Sequence, residues 1–276
     1  ETLLNHARVG FSAKHPNILA AQIADEFVKI YGGKAFVVNP PDVDEFEDVA
    51  RVTGFSDIFR ESKGHPLNHK EVGIRYAKEI GKRYEDLNLV ISHIGGGVSV
   101  AAHRKGRMID QTDVIHGDGP MAPTRAGTLP AVTLMRMCYS GKYTEKEMYD
   151  RITKNGGLVD HLGTSDILEV FERIKNGDNY AKLILDAMIY QIGKNIGAYA
   201  AVLKGEVDAI LLTGGISRSE YVVEKITEMV KFIAPVKVYA GEFEMEALAS
   251  GAIRVLKGEE QPKKYTGIPV FTGFKK

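Results

Sequence analysis

The sequence predicts an α/β fold, and three observations predict it. Residues 88–94, Asn88-Leu89-Val90-Ile91-Ser92-His93-Ile94, form an apolar run that stops in Gly95-Gly96-Gly97 and resumes as alternating small and apolar residues. A second run, 207–213, stops in the same way at Gly214-Gly215. Around both lie segments with the 3.6-residue spacing of amphipathic helices, so strands alternate with helices and an at least partly parallel sheet is expected. The glycines are expected to turn the backbone at φ > 0 and to approach a ligand closely, their N–H groups forming an anion-binding concavity. One such strand end also fits a plain tight turn. Two of them, flanking a segment rich in polar motifs, point to a nucleotide held between phosphate and nucleoside contacts.

Taken in order, the first element is a helix over 17–31, with Ile18, Ala21, Ile23, Ala24, Phe27 and Ile30 on one face and Gly32-Gly33 as its C-cap. A short strand over 34–38 runs into Asn39-Pro40-Pro41, and an acidic stretch then leads to a loop at Gly64-His65-Pro66. A helix over 71–84 feeds the strand 88–94. Strands over 99–103 and 107–110 are joined by Arg104-Lys105-Gly106, a hairpin signal. Residues 114–127 are too long and too rich in Gly and Pro for an idle turn and form a candidate functional loop. Helices over 129–140, 144–154, 165–175 and 179–203 follow. The alternation then returns as a strand at 207–213, a helix at 220–232, a strand at 236–239 and a helix at 245–256. The polar tail 257–276 is expected to wrap the surface.

Composition narrows the classes. Of the 276 residues, 44% are hydrophobic and 26% charged, as in an ordinary globular protein. Lys+Arg and Asp+Glu both number 36, and this balance argues against a nucleic-acid binder. No apolar run reaches the roughly 18 residues of a membrane span. The start, Glu1-Thr2-Leu3-Leu4-Asn5-His6, has no signal-peptide pattern, and the single Cys138 suits a reducing, cytoplasmic setting. Because the chain opens on Glu1 within an ordered-looking segment, it is expected to be a fragment.

Several loops carry chemistry-bearing side chains, while P-loop, Rossmann and zinc-hydrolase motifs do not occur. In His116-Gly117-Asp118-Gly119-Pro120, Asp118 could approach a metal or phosphate; Arg125 precedes a helix start, where a guanidinium and free N–H groups together favour anions. A surface loop with a turn-capping Asp and a solvated Arg explains the same residues. His65 and His69, in His65-Pro66-Leu67-Asn68-His69, could contact a phosphoryl group or be merely structural. His93 could do the same, or fix the turn by bonding to backbone. Asp42, Asp44, Glu45, Glu47 and Asp48 crowd together without metal-ligand spacing. Glu242, Glu244 and Glu246 either complement a helix dipole or orient one carboxylate towards Mg²⁺.

The order of these motifs is more specific than any one of them. His65-Pro66-Leu67-Asn68-His69-Lys70, His93-Ile94-Gly95-Gly96-Gly97-Val98-Ser99, Gly117-Asp118-Gly119-Pro120, Thr124-Arg125-Ala126-Gly127-Thr128-Leu129-Pro130, Asn155-Gly156-Gly157-Leu158-Val159, Leu162-Gly163-Thr164-Ser165-Asp166 and Leu212-Thr213-Gly214-Gly215 together resemble the butyrate kinase branch of the acetate kinase family. That family lies within the actin and sugar-kinase superfamily. The resemblance runs from about His15 to about Glu260. It implies a two-domain, ribonuclease-H-like (actin-like ATPase) fold with its first domain incomplete. Residues 1–42 and 245–276 would be the remainder of the first domain, and 43–244 the second domain with a helical insertion.

The implied reaction moves the γ-phosphoryl group of ATP, with Mg²⁺, reversibly onto a short-chain carboxylate, giving ADP and an acyl phosphate. By motif match, His65, Arg125 and Asn39 stand at catalytic positions. His93, Gly95, Gly96 and Gly97 form a phosphate turn, Asp118 lies at the nucleotide site, Thr213, Gly214 and Gly215 belong to the adenosine site, and Glu244 is the magnesium-associated carboxylate. Physical reasoning agrees: an ionised carboxylate needs no strong general base, so the task is to hold two anions together and neutralise charge in flight.

Two departures shape the expectation. The family's first phosphate loop, Asn-Pro-Gly-Ser-Thr-Ser-Thr-Lys, and its substrate-binding Arg do not occur, so the chain alone is expected not to turn over. Asn39 also stands where the family carries Asp. A non-catalytic nucleotide-binding or assembly subunit, or a kinase for acetate, propionate or a branched acid, are the alternatives. The resemblance further implies a homo-oligomer, with the helical block 129–203 as a contact surface.

Overall fold

The computed structural model describes residues 16–274. His15, where the resemblance begins, and the N-terminal hexapeptide lie outside the described residues. The chain divides into two compact units, one within 1–40 and 243–276, the other Pro41–Glu242. In order, the elements are α1 (Pro16–Tyr31), a one-turn helix at Asp48–Arg51, α2 (Pro66–Glu79), a 3-10 turn at Tyr84–Asp86, β1 (Asn88–Ile94), β2 (Val98–Arg104) and β3 (Arg107–Gln111). Then come α3 (Ala131–Cys138), α4 (Glu145–Thr153), α5 (Leu158–Leu162), α6 (Ile167–Lys175), α7 (Asn179–Val202) and β4 (Ala209–Gly214). A 3-10 turn at Gly215–Arg218, α8 (Glu220–Val230), β5 (Val236–Ala240) and α9 (Glu244–Leu256) complete the order.

The second unit is built on a mixed five-stranded sheet of order β3-β2-β1-β4-β5. β1–β2 and β2–β3 pair antiparallel, β1–β4 and β4–β5 parallel. The β2–β3 turn places Lys105 at φ 50° and Gly106 at φ 81°, the left-handed pair that a two-residue hairpin demands. Period-two alternation gives the sheet two different faces. Val90, Ile94, Val98, Val100, Ala102, Ile210 and Leu212 point into the main core, against Leu185, Met188, Ile192 and Ile196 spaced one turn apart on α7. Burying each of those large side chains contributes roughly 1.5–3 kcal/mol. The opposite face carries Leu89, Ile91 and His93 of β1 with Ser99, Ala101 and His103 of β2, and α2 packs on that side of β1.

Three local expectations are corrected. α2 begins at Pro66 rather than near residue 71, because Pro at the first helical position has a pre-set φ and no N–H to waste. The stretch 34–38 forms no strand, since no ladder partner lies beside it among the described residues. In that unit it packs on α9, where Gly251 leaves room for Val38. Finally, none of Gly95, Gly96 and Gly97 adopts a positive φ. Their value is space, as the site makes plain.

Candidate active site

β1 ends at Ile94, and the three glycines return the chain directly into β2, with Gly95 N–H donating to Gly97 O at 3.0 Å. The candidate loop lies over this turn. Thr124 donates to the Gly96 carbonyl from its hydroxyl (3.0 Å) and its N–H (3.4 Å). Arg125 then sits against Gly97 so closely that a Cβ there would overlap its Nη1. Gly156 N–H and Ala126 N–H anchor the same loop to Thr124 O and Ile152 O. β4 runs parallel beside β1, pairing Thr213 with His93. Gly214 at φ 90° passes so near Ile94 that a Cβ would lie 2.5 Å from its carbonyl oxygen. Both glycine turns therefore meet at the carboxyl ends of adjacent parallel strands, where open α/β sheets place their ligands. Ser217 holds the second turn by donating to Thr213 O at 2.7 Å.

Two imidazoles flank the first turn. His65, the N-cap of α2, stacks on His93 with ring centroids 4.1 Å apart and planes 23° apart. Desolvation, reinforced by His93, His69 and Arg125, holds His65 well below the ordinary histidine value. Burial alone lowers His93 to about 4. Both rings are thus neutral at pH 7, and they stack without charge repulsion. His93 does not fix the turn by a hydrogen bond as the sequence allowed: its Nδ1 is buried without a partner among the described residues.

Arg125 is half-buried, and burial lowers its affinity for the proton, although a guanidinium remains cationic in proteins. Among the described residues no carboxylate pairs with it. Arg60 shows the contrast. It donates to Asp118 Oδ2 (2.8 Å), Asp110 Oδ1 (2.7 Å), Tyr199 Oη (3.1 Å) and the Ala50 and Gln111 carbonyls (2.9 and 2.7 Å). Arg60 is saturated and structural, whereas the Arg125 guanidinium stays clear of carboxylates among the described residues. Asp118, read from the sequence as a nucleotide-site residue, is engaged by Arg60.

The acidic stretch resolves into ion pairs. Asp44 is bidentate with Arg51 (2.7 Å each), Glu45 meets Lys70 (2.8 Å) and Glu47 meets Arg104 (2.5 Å). Among the described residues no group of three metal-ligating side chains could hold a metal ion. In the other unit, Asn39 lies at φ 40°, a conformation that Asn and Asp tolerate best, and Glu244 opens α9 with Glu246 in its first turn. The structure therefore gathers His65, His93, Gly95–Gly97, Arg125, Thr213, Gly214 and Gly215 in one unit, while Asn39 and Glu244 belong to the other. Sequence reasoning missed Ser99 and His103. The available signal was spacing: His65 and His69 four apart at a helix start, Ser99 and His103 four apart on a strand.

Residues 58–248 match the model of the acetokinase family. Butyrate kinase 2 and butyrate kinase 1 of Clostridium acetobutylicum are each 46% identical over 265 residues, 96% of this chain and 74% and 75% of theirs. A probable butyrate kinase 2 of Caldanaerobacter subterraneus subsp. tengcongensis is 47% identical over the same share. Among solved structures, the acetate kinase of Porphyromonas gingivalis superposes with a TM-score of 0.69 at 24% identity. A propionate kinase from Francisella tularensis does so with 0.66 at 20%. The matches cover 76% and 75% of this chain and 61% of each solved chain, so the chain spans about three-fifths of their length. The fold is shared with these kinases. Among the described residues, no helix is long and apolar enough to cross a membrane.

Proposed function

This chain belongs to the acetokinase family, and from that premise we propose that it is a carboxylate kinase acting on MgATP and a short-chain acid, butanoate foremost. A carboxylate oxygen attacks the γ-phosphorus, the bond to the β–γ bridging oxygen breaks, and acyl phosphate and ADP result. The observation that carries this reading is the unpaired Arg125 cation, held over Gly97 beside two neutral imidazoles at the meeting of two glycine turns. A carboxylate is ionised near neutral pH, so no base is required. The barrier is repulsion between two anions and charge spreading over the transferring group. Arg125 and fixed N–H donors meet both.

Supporting roles follow in the same reading. Gly95–Gly97 take the phosphates, and Thr213-Gly214-Gly215 the nucleoside side. Magnesium enters with the nucleotide, which suits an ion that keeps water and phosphate ligands and asks few carboxylates of the protein; Glu244 would be its protein-side partner. Residues 1–42 with 245–276 are the remainder of the first domain and 43–244 the second. The exposed Val132, Met135 and Tyr139, spaced along one side of α3 and its end, suit contact between copies in a homo-oligomer, which light scattering tests. The exposed thiol of Cys138 fits a reducing cytoplasm. Asn39, uncharged where the family carries Asp, favours the second reading, a nucleotide-binding subunit without turnover.

Hydroxylamine trapping with MgATP and acetate, propionate, butanoate or isobutyrate, run on the complete gene product beside this 276-residue chain, separates these. Hydroxamate formed fastest from butanoate by the complete product is expected, with none from this chain alone. Calorimetric MgADP binding without hydroxamate from any acid would establish the second reading instead.

A further inference from the structure

The face of the sheet under α2 carries more polar side chains than a packing layer needs. His65, the N-cap of α2, stands one turn before His69, and both rings reach the same hydroxyl of Ser99. Ser99 and His103, an even number of residues apart on β2, share a face. Tyr84 stands at the end of the row, in the 3-10 turn before β1. The contacts run without a gap. Tyr84 Oη lies 2.6 Å from His103 Nδ1, and His103 Nε2 lies 3.4 Å from His69 Nδ1, the longest link. His69 Nε2 lies 2.9 Å from Ser99 Oγ, which lies 2.8 Å from His65 Nδ1. His69, Ser99 and His103 are wholly buried.

A neutral imidazole has one donor and one acceptor nitrogen, so each ring passes its orientation to the next. Burial keeps the rings neutral: His69 is held well below the ordinary value, and His103 is lowered to about 3. A Ser99 that accepted from both rings would leave its own proton out of the chain; with every hydroxyl proton used, only two directions remain, and Tyr84 decides between them. Its hydroxyl is buried, with His103 as its hydrogen-bond partner among the described residues. If it accepted from His103, its own proton would be stranded in the core. If it donates, only a lone pair is spare, the cheaper outcome. Desolvation, with Glu45 and Glu85 nearby, also pushes the phenol well above its ordinary value, so it keeps the proton.

We propose that Tyr84, His103, His69 and Ser99 form a one-way hydrogen-bond chain that holds His65 in a single tautomer, Nδ1 accepting and the proton on Nε2. Each member donates to the next, from Tyr84 Oη to His103 and on through His69 and Ser99 to His65. The remaining Nε2–H of His65 has no hydrogen-bond partner among the described residues and stands in the cluster of His93 and Arg125. A phosphoryl oxygen there meets a donor and never a lone pair. That consequence rests on the phosphoryl-transfer reading, whereas the tautomer does not. Tyr84, His103, His69 and Ser99 are thus positioning residues for His65.

The test is two-bond proton–nitrogen correlation NMR at pH 7.5 on protein labelled with ¹⁵N-histidine, which reads tautomers without any turnover. Wild-type His65 is expected as the Nε2–H form alone. Ser99→Ala, which removes the donor to Nδ1, should give His65 a mixture of tautomers with native melting retained. Tyr84→Phe, which deletes one oxygen four links away, should raise the Nδ1–H fraction of His103 and His65 together. A wild-type His65 protonated on Nδ1 would overturn the proposal. So would a His65 spectrum unchanged in a folded Tyr84→Phe protein. In the hydroxamate assay Ser99→Ala should lose at least tenfold in kcat with KM for MgATP little changed. A protein that makes no hydroxamate at all, yet shows the tautomer pattern, would refute the kinase reading and leave the chain of donors standing.

Discussion

Replacing Gly97 with alanine separates the chemical use of the glycine turn from its structural use. The backbone there is not left-handed, so alanine adopts it without strain. A methyl group would overlap Nη1 of Arg125 and lie 2.8 Å from its Cζ. Nη1, the nearest atom, sets the displacement, and to regain ordinary contact distance the guanidinium must retreat by roughly 1.5 Å. It is the far end of a flexible side chain, so the fold bears little of the change and stability should stay within about 0.5 kcal/mol of the parent. The site bears all of it. A shift of about 1 Å in a charge-stabilising group costs on the order of 100-fold in rate, or about 2.7 kcal/mol. Hydroxamate formation should therefore show kcat/KM down about 100-fold at an unchanged melting temperature. Gly197→Ala on α7 is the control, because a Cβ there meets nothing within 4 Å and the position lies outside the glycine turns. A Gly97→Ala protein as active as Gly197→Ala would show that Arg125 does not act from its seat on this turn.

Further outcomes follow from the same geometry. His65, His69, His93 and His103 all have folded-state values below the unfolded histidine value of about 6.5, so their stabilising contribution is complete above that pH and lost as pH falls through the folded values. Between pH 6.5 and about 4 each costs up to about 1.4 kcal/mol per pH unit, and urea midpoints should fall steeply from pH 7 to pH 5; a flat profile would mean these rings titrate normally. Arg60→Met should destabilise by about 3 kcal/mol or more, since Asp110 becomes an unpaired charge with its side chain 12% exposed, and chemical denaturation would register a smaller loss if the ion pair were ornamental. Asn39→Asp keeps the side-chain shape and tolerates φ 40°, so the melting temperature should hold while kcat rises several-fold; an unchanged kcat would show that no charge is wanted at that position.

β1 and β4 were legible because each is a largely apolar run that ends at glycines, and the α/β alternation followed from them. The start of α2 was not, since Pro66 punctuates a loop and opens a helix with equal right, and only the packing of His65 and His69 decides. The purpose of Gly95–Gly97 was half legible: the glycines signal need, but φ and clearance leave the same mark in a sequence. That Asp118 would also pair with Arg60, 58 positions away, was not legible. The row from Tyr84 to His65 stayed invisible because it joins a helix, a turn and a strand whose adjacency is written in no single one of them. The strand expected at 34–38 shows the converse. Its residues suit a strand, yet strandedness is a property of two segments.

The pairing of His93 with Ser99 also closes the hairpin that builds the core. Were β2 to slip by one residue against β1, Ser99 and His103 would swing into the apolar layer beside Leu185 and Met188, and Val98 and Val100 would turn out under α2. The chemistry is therefore proofread by folding. A hairpin assembled in the wrong frame forfeits the hydrophobic layer along with the reactive one, so this region has no well-packed but idle alternative. A chain that passes the test of compactness here has, by the same alignment, already aligned its histidines.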